Sequence, residues 1–72
     1  MSSLKRALAV LDLFTGERPA WTAEAIAQHL GYSVPTVYRY VRELSEMGLL
    51  RGESAAHFVL GPKIIELDYQ LR

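Results

Sequence analysis

Apolar residues in this chain recur at helical spacing in several stretches, and the polar residues between them mark helix ends. Leu4, Ala7, Leu8, Leu11 and Phe14 form one stripe, which predicts a helix over 3–14 with Ser2 or Ser3 as its cap and Gly16 near its end. The stripe suits a core. Val10 and Leu13 lie on the opposite side, so this helix is expected to pack against two neighbours. The second neighbour is either the C-terminal helix or another subunit.

From Thr22 to Leu44 the apolar positions are Ile26, Ala27 and Leu30, then Tyr32, Val37, Tyr40, Val41 and Leu44. They describe two short helices joined at Gly31, where a positive φ carries no Cβ penalty. Thr22 is the natural N-cap of the first, with Trp21 stapling onto Ile26. Ser33 caps the second, Pro35 is tolerated in its first turn, and Gly48 stops it after about Met47. Over 49–60 the pattern predicts a β-hairpin: LLRG, a turn from Glu53 to Ala56, then HFVL. Pro62 opens a last helix over 62–72, with Ile64, Leu67 and Leu71 on one stripe and Ile65 and Tyr69 on a second. The fold class is mainly α with a small β-hairpin, in the order α-α-α-β-β-α. That order is a winged helix-turn-helix, which holds its second helix out where a DNA major groove can receive it.

Composition narrows the chemistry. Seventy-two residues make one small domain, and half of them are hydrophobic, so the chain is globular. There is no cysteine, and the only histidines, His29 and His57, stand far apart, so neither a metal site nor a cofactor is expected. No histidine–carboxylate cluster or phosphate-cradling glycine loop supports an enzyme. No apolar run reaches the roughly 20 residues of a membrane span, and Lys5, Arg6 and Asp12 interrupt the N-terminus as a secretion signal, so a cytoplasmic protein is expected.

Eight basic and eight acidic residues leave a formal net charge of zero. Their distribution is uneven: no acid occurs from Ala25 to Arg42, while Arg39 and Arg42 fall inside that window. Projected at about 100° per residue, Val34, Pro35, Tyr38, Arg39 and Arg42 turn away from the apolar side of the third helix. Arg39 or Arg42 can bond bidentately to guanine, and Ser33 and Thr36 can donate to phosphates or bases. Thr22 and Ser33 also mark helix N-termini, whose amides favour phosphate. Each residue has a plainer role as well. Arg39 and Glu43 stand i, i+4 and could pair, Ser33 is first a cap, and Tyr38 divides between flank packing and phosphate contact. In the wing, Arg51 can reach a phosphate. The turn 53–56 carries no base, which leaves His57 as the only minor-groove candidate.

The opening SLKRALAVLDLF, the middle TAEAIAQHLGYSVPTVYRYVRELSEMGLL and the close FVLGPKIIEL resemble the N-terminal DNA-binding domain of the IclR family of bacterial transcriptional regulators. The similarity extends over essentially the whole chain. It implies double-stranded DNA as partner, bound by a homodimer whose recognition helices (33–47 here) enter successive major grooves of a near-palindromic operator. It also divides the chain into a winged helix-turn-helix over 1–61 and the start of a linker helix over 62–72. That linker leads to a C-terminal domain absent from this sequence, through which alone a small-molecule effector would act. The wing departs from the family's tendency toward a basic residue near its second strand. The alternative is a winged helix used for protein interaction or dimerisation without DNA, which the two-faced first and last helices would suit.

Overall fold

The computed structural model describes residues 2–72; Met1, the first residue of the expected 1–61 domain, lies outside them. Helix α1 spans Ser3–Leu11, strand β1 Trp21–Thr22, α2 Ala23–Leu30, α3 Val34–Glu46, β2 Leu50–Gly52, β3 His57–Leu60 and α4 Pro62–Gln70. Local chemistry sets most of these limits. The side chains of Ser2, Thr22 and Ser33 accept hydrogen bonds from the amides of Lys5, Ala25 and Thr36, each satisfying a donor that has no partner within its helix. Gly31 turns the chain between α2 and α3 at φ 75°, with its amide bonded to the Ala27 carbonyl at 2.9 Å.

The core is built from Val10, Phe14, Trp21, Ala23, Ile26, Ala27, Val37, Tyr40, Val41, Leu44 and Leu50. Fully burying an aliphatic side chain such as Ile26, Val37 or Leu50 stabilises the fold by roughly 1.5–3 kcal/mol. The α3 side chains are the hub, because Val37, Tyr40, Val41 and Leu44 recur on one helical face and all are buried. The Tyr40 hydroxyl is buried without a hydrogen-bond partner among the described residues.

Three expectations need correction. First, α1 ends at Leu11 and not at Phe14. The amides of Leu13 and Phe14 bond to the carbonyls of Val10 and Leu11, a tighter i→i−3 pattern that swings Phe14 into the core. Second, Val10 does not lie opposite the core stripe: it is buried together with Phe14, and Ala7 and Leu11 of that stripe pack beside them. Leu4 and Leu8 are 69% and 45% exposed. They line a shallow apolar groove with Ala7, Leu44, Met47 and Leu49, which α4 does not cover. A helix apolar on both sides leaves its inward face to be chosen by its neighbours.

Third, the hairpin is part of a three-stranded antiparallel sheet in the order β1-β3-β2. Trp21 pairs with Phe58 and Thr22 with His57, while Leu50, Arg51 and Gly52 pair with Leu60, Val59 and Phe58. Trp21 and Thr22, expected only as staple and cap of α2, therefore also close the sheet on one edge. The Trp21 indole N–H donates to the carbonyls of Leu13 and Arg18, which ties the preceding loop to this strand. Gly61 carries the chain from β3 into α4 against the Gly48 carbonyl. Its own amide bonds to the Leu49 carbonyl at 2.9 Å.

Candidate nucleic-acid interface

With Val37, Tyr40, Val41 and Leu44 turned inward, the opposite face of α3 meets solvent. Pro35, Tyr38, Arg39 and Arg42 are exposed, and Val34 and Thr36 are half-buried beside them. Neither guanidinium on this face has an acidic partner: the ion pairs among the described residues are Lys63–Glu66 and Arg72–Asp68, both within α4. The Arg39–Glu43 pair allowed by spacing does not form. The Arg39 guanidinium instead lies 5.2 Å from the Tyr40 ring centre, within cation–π range. Both arginines thus keep their donor forks free.

The hydroxyls at the start of α3 divide their work. Ser33 Oγ accepts from the Thr36 amide and donates to Thr36 Oγ1 at 2.8 Å. Its single proton is therefore used internally, whereas the Thr36 hydroxyl proton remains free to donate outward. Thr22 Oγ1 accepts from the Ala25 amide and likewise keeps its own proton. The fold sets Thr22 directly opposite His57 through the β1–β3 pairing, so the start of α2 and the wing meet across two strands. His57 Nδ1 sits 3.1 Å from the Ala55 carbonyl, which can only accept, so Nδ1 carries the proton in this bond.

Arg51 is not brought to this group. It pairs with Val59 and lines a groove with Phe14, Thr15, Gly16 and Pro19, on the side of the α1–β1 loop. Two residues near the α3 face were missed from sequence. Arg6, on α1, stacks its guanidinium 4.4 Å from the Tyr32 ring centre and 5.9 Å from that of Tyr40, close to the turn between α2 and α3. Glu24, on α2, accepts a hydrogen bond from the Tyr38 phenol at 3.4 Å. The acid-free window over 25–42 is thus not an acid-free surface, because the fold adds a carboxylate from just outside it. Neither residue carries a signal in the sequence, since both contacts span elements.

These features define a winged helix-turn-helix domain whose α3 carries free guanidinium groups outward. The model of the IclR helix-turn-helix domain matches residues 3–54, and the chain belongs to that family. An IclR-family transcriptional regulator from Brucella abortus is 30% identical with a TM-score of 0.88, over 99% of this chain and 27% of that one. An IclR-type putative transcriptional regulator from Silicibacter is 27% identical with a TM-score of 0.92, over 97% and 27% of the two chains. An IclR homologue from Microbacterium hydrocarbonoxydans, solved with 4-hydroxybenzoate, is 32% identical with a TM-score of 0.83, over 92% and 28%. No curated protein matches the chain. The chain spans less than a third of the length of these solved relatives. It is a DNA-binding domain of a transcription regulator, and its family and fold are those of regulators and not of enzymes. No helix among the described residues is long and apolar enough to cross a membrane.

Proposed function

We propose that the chain reads specific sequences in double-stranded DNA with the N-terminal half of α3 in the major groove. Arg39 and Arg42 supply bidentate donors to guanine or phosphate. Thr36 donates to a base edge or a phosphate, and Val34 and Pro35 allow close approach. Thr22 and Ser33 bring the amide ends of α2 and α3 to the phosphate backbone. His57 approaches from the wing beside Thr22, and Arg51 reaches a flanking phosphate from the far side of the sheet. The single observation that carries this reading is the pair of exposed guanidiniums on α3 without acidic partners.

Two copies acting as a homodimer would place their α3 helices in grooves about 34 Å apart on a near-palindromic operator. The uncovered groove of Leu4, Leu8 and Met47 favours such self-association. In this reading residues 1–61 form the DNA-binding unit, and α4 opens a linker toward an effector-binding domain. The Microbacterium relative solved with 4-hydroxybenzoate supports a small aromatic or organic acid as the class of effector.

Selection from random duplex DNA, followed by binding measurements on the selected site, tests the reading. Arg39→Ala is expected to weaken binding by about 1–3 kcal/mol, the scale of a good bidentate base contact. Unchanged affinity in the double variant Arg39→Ala, Arg42→Ala would place the binding face elsewhere. A chain that shows no anisotropy change with mixed genomic duplexes at low salt would instead be a protein-interaction module.

A further inference from the structure

We infer that Glu24 and Tyr38 act together as a base-reading pair, in which the carboxylate turns the phenol into a hydrogen-bond acceptor for the exocyclic amino group of cytosine or adenine. The inference rests on the DNA-binding reading above and adds Glu24, which that reading does not contain. Tyr38 is the fifth residue of α3, on its outward face, and is 44% exposed. It therefore lies in the half of the helix that enters a groove first.

A phenol has one proton, and the acceptor within its reach across the α2–α3 junction is Glu24 Oε2, 3.4 Å from the phenol oxygen. A carboxylate only accepts, so the bond runs in one direction. What the pair then shows to a duplex is lone pairs alone: those left on the phenol oxygen and those on the carboxylate. No cation among the described residues forms an ion pair with Glu24. A phosphate oxygen is also an acceptor and is negatively charged, so the pair is poorly matched to the DNA backbone.

The major groove offers the opposite polarity at two bases only. Adenine N6 and cytosine N4 are donors, whereas guanine O6 and N7 and thymine O4 are acceptors. The pair matches an amino-bearing base, while Arg39 on the next residue matches guanine. Adjacent residues of α3 thus read opposite hydrogen-bond polarities. Without Glu24 the phenol proton would be free, and Tyr38 would become an ordinary phosphate donor with little sequence information.

The test is selection from random duplex DNA with the wild-type chain and with Tyr38→Phe, Glu24→Ala and Glu24→Gln, each first shown folded by circular dichroism. Wild type should enrich adenine or cytosine on one strand at one half-site position. Tyr38→Phe and Glu24→Ala should each lose that preference by roughly tenfold, the scale of one mismatched pair, with the guanine positions unchanged. Glu24→Gln retains an accepting oxygen for the phenol and should keep the preference. Wild-type selectivity at every position in Tyr38→Phe or in Glu24→Ala would overturn the pair while leaving DNA binding intact. Equal loss at all positions would also overturn it, since that reports a structural role. Failure of the wild-type chain to enrich any site would remove the DNA-binding reading itself.

Discussion

The tip of the wing carries a backbone cost that two substitutions should relieve. Ala55 and Ala56 adopt φ of 49° and 63°, and the His57 amide closes the turn onto the Ser54 carbonyl at 2.8 Å. Two successive positive φ angles bounded by an i→i+3 bond are the signature of a type I′ hairpin turn, whose preferred residues are Asn-Gly. An L-residue with a Cβ in that region costs roughly 1–2 kcal/mol, because the Cβ crowds the following carbonyl. Glycine removes the crowding but loses roughly 0.5–1 kcal/mol through its freer unfolded chain. The difference leaves Ala56→Gly more stable by about 0–1.5 kcal/mol, and Ala55→Asn added to it raises the gain further, because asparagine tolerates this region without glycine's entropy loss. Both side chains are exposed, so no core contact is altered. In a domain of this size each kcal/mol raises Tm by about 4–8 °C, which thermal unfolding by circular dichroism resolves readily. An unchanged or lower Tm for the double variant would refute the assignment of strain to this turn.

Other outcomes follow from the core and the charges. Tyr40→Phe should be neutral or stabilising by up to about 1–2 kcal/mol in denaturant unfolding, because it removes a buried hydroxyl that has no partner. A loss beyond that range would mean the hydroxyl is bonded. Gly61→Ala should destabilise by more than about 3 kcal/mol. Its Cβ would fall 2.9 Å from the Gly48 carbonyl carbon and 3.0 Å from the Leu50 carbonyl oxygen, both backbone atoms that cannot swing aside. A folded variant with wild-type Tm would show that this junction can shift. With Arg39, Arg42 and Arg51 as the expected phosphate or base cations, log Kd against log salt should have a slope no steeper than about 3 per protomer. A slope beyond about 5 would require phosphate contacts from residues outside this set.

Where the physics is local, the elements were legible in the residues. Ser33 followed by Pro35, and Gly31 between two apolar helices, act within one turn of chain, so the limits of α2 and α3 can be read directly. The inward face of α3 was equally plain, since one helical side of Val37, Tyr40, Val41 and Leu44 is apolar and the other is not. The outward placement of Tyr38, Arg39 and Arg42 follows from the same periodicity.

Choices between alternatives of similar local energy required the fold. Helix α1 is apolar on two sides, and only packing against α3 decided that Val10 is buried while Leu4 and Leu8 stay exposed. Trp21 and Thr22 carry no strand pattern of their own; pairing with β3 makes them one. Glu24 and Arg6 belong to separate helices, and their meetings with Tyr38 and Tyr32 arise from how those helices cross. Periodicity and capping act over a few residues of chain, whereas polarity at a surface depends on which distant side chains share it. Helix α3 was therefore written in the order of its residues, and the hydrogen-bonding character of its outward face was set by its neighbours in space.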